Sequence, residues 1–523
     1  MLQPIKHSIV RLAVKVTLVF VISLPALADD AELPPLSIDV QMDHSAVKAG
    51  QAATHYVVVD FSAPESKIRR EQRPLINLAL VLDRSGSMKS AGKMSYAKAA
   101  TLNIIDMLSV EDQLAIVEYD DLINVLWPSS PVETPELIKS RVSELYPRGS
   151  TNLSGGLMKG AEEVSNEINP DGVNRVILMS DGLANRGITD PDQIKRLVRK
   201  ARAKGMTITT MGLGLEYDEN LMQGIAEAGS GSYYYIESPT SISRIFRQEM
   251  YAMANTVASN AEVVFTPGEG VSKVDVFGYE TTENGSIVSI PMEDFYSGEK
   301  RTLIIRLQVA SQFPGEMRLG TLVLNYKNSE RGKSESITRT LDLNVSDDQI
   351  LVDASLDKDA LAKAVLAEAG EEHAEVINLY EKGDIKSAKE KVAGLVTFLK
   401  ESNQALGDIS IEKKLEGLGM ELEEMDRASS STAERSKYLK SKKQQLFYAS
   451  KGKQAKYLLQ EGSLGMEVEN LQQALKERDL YLGPIDGVFS STLKESVIKY
   501  QSQNNLKADG IAGPLTLKAL GLY

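Results

Sequence analysis

The chain has 523 residues and a formal net charge of −13, a length that exceeds one typical core, so we expect several domains. It contains no cysteine, which excludes a disulfide framework, a thiolate zinc site and a cysteine nucleophile. The acidic balance argues against a nucleic-acid partner, because phosphate contacts need a basic face.

Residues 1–28 are predicted to be a secretory signal peptide. Lys6, Arg11 and Lys15 form a basic region, an apolar run follows, and Ala26-Leu27-Ala28 supplies the small residues of a cleavage site. The apolar run is short for a membrane span, although an uncleaved signal anchor is the alternative. We therefore expect cleavage after Ala28, no transmembrane segment in the mature chain, and export to the periplasm or cell wall of a bacterium.

Residues 29–74 and 258–350 are predicted to be the two parts of one β-sandwich. The run from Tyr56 to Phe61 is rich in valine and is typical of a strand. The later part contains further strand patterns separated by turn signals such as Asn284-Gly285. The region between the two parts is therefore expected to be a domain inserted into the sandwich.

Residues 75–257, which we call the A domain, alternate strand and helix patterns. This order predicts a doubly wound, mostly parallel sheet with helices on both faces. The buried strand pattern from Leu75 to Leu82 is followed directly by Asp83, Ser85 and Ser87. Ligands bind at the carboxyl ends of strands in such sheets, and one carboxylate with two hydroxyls suits a hard divalent cation.

Two later segments are predicted to bring more oxygen atoms to the same edge. The segment Gly149 to Leu153 contains a threonine, and the segment Ile177 to Gly182 ends another strand with an aspartate. In order and spacing, the three segments resemble the metal-ion-dependent adhesion site of the von Willebrand factor A family. The resemblance implies that a divalent ion, Mg²⁺ or alternatively Mn²⁺ or Ca²⁺, is bound there and that a protein partner donates a carboxylate to it. The implied metal ligands, direct or through water, are Asp83, Ser85, Ser87, Thr151 and Asp181.

A second acidic group follows a strand of the A domain. Glu118, Asp120 and Asp121 are predicted to form a solvated edge rather than part of the metal site. The segment Gly212-Leu213-Gly214 is predicted to be a tight turn rather than a nucleotide-binding loop, because the third glycine of that motif is absent.

Residues 351–460 are helical and charged, and they are predicted to be a spacer or a docking region. Ala388, Val392, Leu395 and Leu399 form one apolar stripe, and Gly383-Asp384 interrupts the helical pattern before it. This arrangement predicts a helical hairpin. Its charge runs, such as the one that begins at Glu421, are predicted to be solvated faces.

Residues 461–523 are predicted to be a small three-helix domain. The turn Asp486-Gly487-Val488 recurs 23 residues later as Asp509-Gly510-Ile511, and each turn leads into a helix. The segment from Tyr500 to Thr516 resembles the signature of bacterial peptidoglycan-binding domains. The first half departs from that signature, because Ser490-Ser491-Thr492 stands where the family has glycine and proline. The resemblance implies that peptidoglycan is a partner.

Together these features predict a non-enzymatic envelope protein that binds a protein partner through a metal and holds peptidoglycan. One alternative is a cell-wall hydrolase or an accessory subunit of one. Against it, His44, His55 and His373 are scattered and are expected to be ordinary surface or core residues, whereas a zinc hydrolase usually needs two or three histidine ligands. Another alternative is a structural scaffold of an envelope secretion or stress complex.

Overall fold

A computed structural model describes residues 36–64, 73–311, 313–453, 459–461, 463, 466–485 and 487–522. The predicted signal peptide and Asp486 lie outside these residues. Across the described ranges, no helix combines the length and the apolar character that a membrane span would need.

The described chain contains seventeen strands and fourteen α-helices, with short 3₁₀ turns at Gly86–Gly92 and Pro239–Ser241. The strands are β1 (Ser37–Met42), β2 (Ala46–Lys48), β3 (Ala52–Ser62), β4 (Ile76–Asp83), β5 (Gln113–Tyr119), β6 (Ile123–Pro131), β7 (Val173–Ser180), β8 (Thr207–Leu213), β9 (Ser230–Ile236), β10 (Thr256–Pro267), β11 (Val271–Val276), β12 (Thr282–Asn284), β13 (Ile287–Pro291), β14 (Phe295–Tyr296), β15 (Lys300–Ala310), β16 (Gly315–Asn328) and β17 (Lys333–Ser346). The helices are α1 (Lys93–Met107), α2 (Pro135–Ser143), α3 (Leu153–Asn166), α4 (Pro191–Arg202), α5 (Glu219–Ala228), α6 (Ile242–Ala254), α7 (Gln349–Ala354), α8 (Lys358–Glu381), α9 (Ile385–Leu406), α10 (Ile409–Ala428), α11 (Thr432–Ser450), α12 (Met466–Lys476), α13 (Ser491–Gln503) and α14 (Pro514–Leu520).

Two β-sheets that share one core form the sandwich. One sheet has the strand order β1-β3-β15-β11, and the other has the order β12-β13-β10-β16-β17-β2 with β14 beside β10. Alternate side chains of β3, such as Val57, Val59 and Phe61, are buried in the same cluster as Val263 and Phe265 of β10. This alternation is what a sheet with one buried face requires.

The A domain lies between β3 and β10 in the chain and has a sheet of its own. Its strand order is β6-β5-β4-β7-β8-β9, and every neighbouring pair is parallel except β5 with β6. Strand β4 is buried along its whole length, as expected for a central strand covered by helices on both faces. The predicted fold class, an α/β domain inserted in a β-sandwich and followed by helices, is confirmed.

Helices α8 to α11 pack together around a core of their own and also contact the A domain. Phe447 and Tyr448 of α11 are buried in the core of the A domain, and Lys440 donates a hydrogen bond of 2.8 Å to the carbonyl of Tyr217. These contacts indicate that helices α8 to α11 are docked on the A domain and do not form a free spacer. The prediction of a solvated charge run is wrong at Glu421, which is 1% exposed and accepts a hydrogen bond of 2.6 Å from the hydroxyl of Tyr438.

In the C-terminal helical domain, a glutamine side chain from α12 and another from α13 each hold one turn. The side chain of Gln472 in α12 accepts a hydrogen bond from the N–H of Gly487, and Gln501 in α13 does the same for Gly510. Both glycines have positive φ, +70° and +74°, a conformation that favours glycine because it has no Cβ. The backbone at Gly487 and at Gly510 is therefore held by the same kind of glutamine clamp.

Candidate metal site

Asp83 is the last residue of β4 and is fully buried where the chain leaves the sheet. The N–H of Ser85 donates a hydrogen bond of 2.8 Å to Asp83 Oδ1, which fixes the turn that follows the strand. The N–H of Gly86 donates to the carbonyl of Gly149 over 3.1 Å. The first two predicted segments are thus joined by the backbone.

The structure brings the five predicted residues to one edge of the sheet. Ser85 Oγ and Ser87 Oγ are 3.0 Å apart, and Ser87 Oγ donates to Asp181 Oδ1 over 2.6 Å. A Cβ placed on Gly182 would lie 3.3 Å from Thr151 Oγ1 and 3.4 Å from Ser87 Oγ, so those two hydroxyls approach the same point. The segments after β4, before α3 and after β7 therefore meet around a set of oxygen atoms.

Asp83 is held by donors on its inner side. Ser180 Oγ donates to Asp83 Oδ2 over 2.7 Å, and the hydroxyl of Tyr119 lies 3.4 Å from the same oxygen. Burial is the main cause that raises the pKa of Asp83 to about 6, and the charge of Asp181 contributes to the rise. The repulsion between these two neighbouring carboxylates would be relieved by a bound cation.

Lys93 is a member of this site that the sequence patterns did not indicate. Its Nζ lies 2.7 Å from Asp181 Oδ2, and the residue is only 7% exposed. Asp181 thus presents Oδ1 to the hydroxyls while Oδ2 is neutralised by the lysine. A signal existed in the sequence, because Lys93 lies on the same helical face as the buried residues Ala97 and Ala100.

The prediction of a solvated acidic edge is wrong for Glu118 and Asp120, which are buried against Arg84. Arg84 Nη1 lies 3.0 Å from Glu118 Oε1, and Arg84 Nε lies 2.9 Å from Asp120 Oδ2. Arg148 Nε also lies 2.7 Å from that oxygen of Asp120. These pairs hold the loop after β4 and the loop before α3 in place, whereas Asp121 is exposed as expected.

The loops around the oxygen atoms also expose apolar side chains. Leu183, next to Gly182, is 58% exposed, and Tyr146 and Leu122 are exposed on neighbouring loops. The guanidinium of Arg148 lies 5.8 Å from the centre of the Tyr146 ring. This combination of apolar and arginine side chains is typical of a protein-binding surface.

The donor set fits a hard divalent cation, because the five predicted side chains all offer oxygen and two of them are carboxylates, while Lys93 occupies only Oδ2 of Asp181. A doubly wound sheet with such an edge defines a class of binding domain. Residues 77–248 match the family model of the von Willebrand factor type A domain, and residues 465–520 match that of the putative peptidoglycan binding domain. The chain thus contains a von Willebrand factor type A domain followed by a peptidoglycan-binding domain.

Similar proteins were found in bacteria and animals. The uncharacterized protein YfbK of Escherichia coli is 31% identical over 261 residues, which are 49% of this chain and 45% of the relative. The uncharacterized protein sll0103 of Synechocystis is 26% identical over 286 residues, 53% of this chain and 67% of the relative. Inter-alpha-trypsin inhibitor heavy chain H2 of Mus musculus is 22% identical over 301 residues, 55% of this chain and 31% of the relative. The match therefore spans less than half the length of the E. coli and mouse proteins.

Two solved structures share the fold. The von Willebrand factor type A protein from Catenulispora acidiphila has a TM-score of 0.60 at 17% identity and covers 75% of this chain and 91% of its own. The ArnB paralog VWA2 from Sulfolobus acidocaldarius has a TM-score of 0.53 at 16% identity and covers 79% of this chain and 98% of its own. Both alignments extend beyond the A domain, so the shared fold includes parts of the chain around it.

Proposed function

We propose that this protein is an exported, non-enzymatic protein of the bacterial envelope, with two binding sites. The A domain binds a protein partner at its metal edge, and the C-terminal domain holds peptidoglycan. The observation that carries the proposal is the convergence of five oxygen-bearing side chains at the sheet edge of a chain that also contains a peptidoglycan-binding domain.

The residues that would hold Mg²⁺, Mn²⁺ or Ca²⁺ are Asp83, Ser85, Ser87, Thr151 and Asp181. When bound, the ion supplies a positive charge that accepts one further oxygen ligand. Lys93 neutralises one oxygen of Asp181, which lowers the negative charge that the protein itself offers. The serine and threonine hydroxyls are neutral and add no negative charge. The bound ion would therefore keep a net positive charge, which favours a carboxylate from outside.

The surface around the site supports a protein as the source of that carboxylate. Leu183, Leu122 and Tyr146 are exposed apolar side chains on the surrounding loops, and a small ion or free carboxylate would not need them. Arg148, 45% exposed in its side chain, adds a positive charge beside them. We infer a partner surface that carries one aspartate or glutamate within an apolar patch.

The C-terminal domain would keep this surface at the cell wall. The predicted signal peptide and the peptidoglycan-binding domain support the same compartment. Attachment of one chain to both the wall and a protein raises the local concentration of each without new contacts. In this view, the docked helices α8 to α11 connect the two binding domains.

Capture from an envelope extract tests the protein-binding site. The mature chain is immobilised and compared in Mg²⁺ and in chelator, with Asp83→Asn as the test variant and Glu133→Ala as the control, because Glu133 is an exposed acid outside the site. We expect one set of proteins to be retained only with Mg²⁺, by the wild type and by Glu133→Ala. Equal capture by Asp83→Asn, or capture that persists in chelator, would contradict the proposal.

Sedimentation with purified peptidoglycan sacculi tests the second site. The wild type is expected to pellet with the sacculi, and Gln501→Ala is expected to pellet less because the clamp on the turn at Gly510 is lost. Gln473→Ala is the matched control, since Gln473 is exposed and its side chain donates a hydrogen bond to Glu477, four residues further along the chain. A wild-type chain that stays in the supernatant, or release of soluble wall fragments, would argue against a binding role.

A further inference from the structure

We propose that Asp43, His44 and His55 form a second metal site in the β-sandwich, one that takes a transition-metal ion of the zinc type. Asp43 and His44 lie in the turn between β1 and β2, and His55 lies in β3. One ligand atom from each side chain can be chosen so that all three lie within 4.8 Å of one another. The site is independent of the oxygen-rich edge of the A domain, with which it shares no residue.

His55 provides the strongest indication of a missing ligand. The residue is 6% exposed, and neither of its ring nitrogens has a hydrogen-bond partner among the described residues. Its Nδ1 lies 3.4 Å from Asp43 Oδ1, without the geometry of a hydrogen bond. A buried imidazole with both nitrogens unsatisfied is unfavourable, and coordination of a metal by one nitrogen would remove part of that cost.

The backbone holds Asp43 in position for this role. The N–H of Asp43 donates to the carbonyl of Tyr56 over 3.1 Å, and the N–H of Tyr56 donates to Asp43 Oδ1 over 2.9 Å. The N–H of Asp357, at the start of α8, donates to the carbonyl of Asp43 over 2.8 Å.

His44 is the adjustable member of the three. Its Nδ1 lies 3.1 Å from Asp43 Oδ2, and its side chain is 27% exposed. Bonds of about 2.0–2.1 Å in a tetrahedral zinc site place ligand atoms roughly 3.3 Å apart, so a rotation of His44 toward the ion would close the remaining distance. The exposed side of His44 also provides the entry path for the ion.

The ligand chemistry separates this site from the edge of the A domain. Two imidazole nitrogens and one carboxylate are typical ligands of zinc and its neighbours in the transition series, whereas Mg²⁺ prefers oxygen. With three protein ligands, the fourth position is left for water or another ligand. The bound ion would link strand β3 to the turn that precedes β2. This point lies next to the contact between the sandwich and α8.

Zinc titration of the tag-free mature chain by calorimetry tests the site, with Co²⁺ absorption as the spectroscopic readout. We expect His55→Gln to weaken zinc binding by more than about tenfold, since even second-shell changes at metal sites cost that much. His373→Gln is the matched control, because His373 is also buried but lies in the helical region and hydrogen-bonds Glu421. Asp83→Asn is expected to keep the zinc site and lose the Mg²⁺ site.

The outcomes are separable. Unchanged zinc affinity in His55→Gln, or loss of zinc binding in Asp83→Asn, would overturn the proposal, as would Co²⁺ absorption without nitrogen-ligand character. If His55→Gln does not fold, His44→Gln replaces it, because the partly exposed His44 tolerates substitution better and must also weaken zinc binding. Mg²⁺ binding that persists in the histidine variants shows that the two sites are distinct.

Discussion

The two ends of strand β7 each hold two carboxylates and one cation, but they differ in what surrounds them. At the carboxyl end, Lys93 pairs with Asp181, Asp83 lies beside Asp181, and the neighbouring groups are serine and threonine hydroxyls. Toward the other end, Arg175 is buried between Glu249 of α6 and Asp294 of the sandwich, at 3.0 and 2.7 Å.

The two clusters differ in the hydrogen bonds that the polar groups around their carboxylates make. At the base of the A domain, the hydroxyl of Tyr234 and the guanidinium of Arg175 donate to Glu249, and the cluster is sealed between two domains. At the upper edge, the hydroxyls of the buried Ser85 and the half-buried Ser87 hydrogen-bond each other, and each hydroxyl oxygen has two acceptor lone pairs. Charge alone therefore does not distinguish the two clusters; the hydroxyl oxygens beside the carboxylates do.

The largest expected effect is at the base. Arg175→Met leaves Glu249 and Asp294 buried without their cation, so we expect the free energy of unfolding to fall by about 3–5 kcal/mol. Arg199→Met is the control, because Arg199 forms a partly exposed pair with Glu280 and is expected to cost at most about 1 kcal/mol. Denaturant unfolding measures both, and equal losses would contradict the contrast between buried and exposed pairs.

At the edge, Lys93→Met is expected to change stability and metal binding in opposite directions. Without Mg²⁺, the variant loses about 1–3 kcal/mol because Asp181 Oδ2 loses its buried partner. Its Mg²⁺ affinity rises by up to about tenfold, because a competing positive charge is removed. Calorimetric titration and thermal unfolding measure the two effects. A weaker Mg²⁺ affinity would mean that Lys93 supports the ion rather than competing with it.

The ionisation of Asp83 is expected to make both the stability of the protein and its stabilisation by Mg²⁺ depend on pH. Its pKa is raised to about 6 in the folded protein, so charging it costs stability as the pH rises from about 4 to about 6. Mg²⁺ offsets that cost only where Asp83 is ionised, so the Mg²⁺-dependent rise in melting temperature is expected to be larger at about pH 7.5 than at about pH 5. Asp83→Asn should abolish this difference, and an equal rise at both pH values would exclude Asp83 as a ligand.

The smallest expected effect on stability is at the exposed rim. Leu183→Ser changes a side chain that is mostly in solvent, so the free energy of unfolding is expected to stay within about 0.5 kcal/mol. Mg²⁺ affinity should also be unchanged, whereas Mg²⁺-dependent capture of the partner should fall. Undiminished capture would remove Leu183 from the proposed partner surface.

The order of the domains and the residues at the sheet edge were predictable from sequence patterns. Alternating strand and helix patterns predict a parallel sheet, and the carboxyl ends of its strands must meet at one edge. Asp83 ends one such strand and Asp181 follows its neighbour, so their proximity could be predicted without coordinates. Coordination of a metal by these residues stays a prediction.

The pairing of polar groups from distant segments could not be predicted and is seen in the folded chain alone. Lys93 reaches Asp181, Arg84 buries Glu118, and Tyr438 reaches Glu421, although no local pattern relates the members of these pairs. His44 and His55 come together because a turn and a neighbouring strand of the sandwich place them side by side. Local periodicity shows which face of an element is buried, but the partner on the opposite side depends on packing between elements that are remote in the chain.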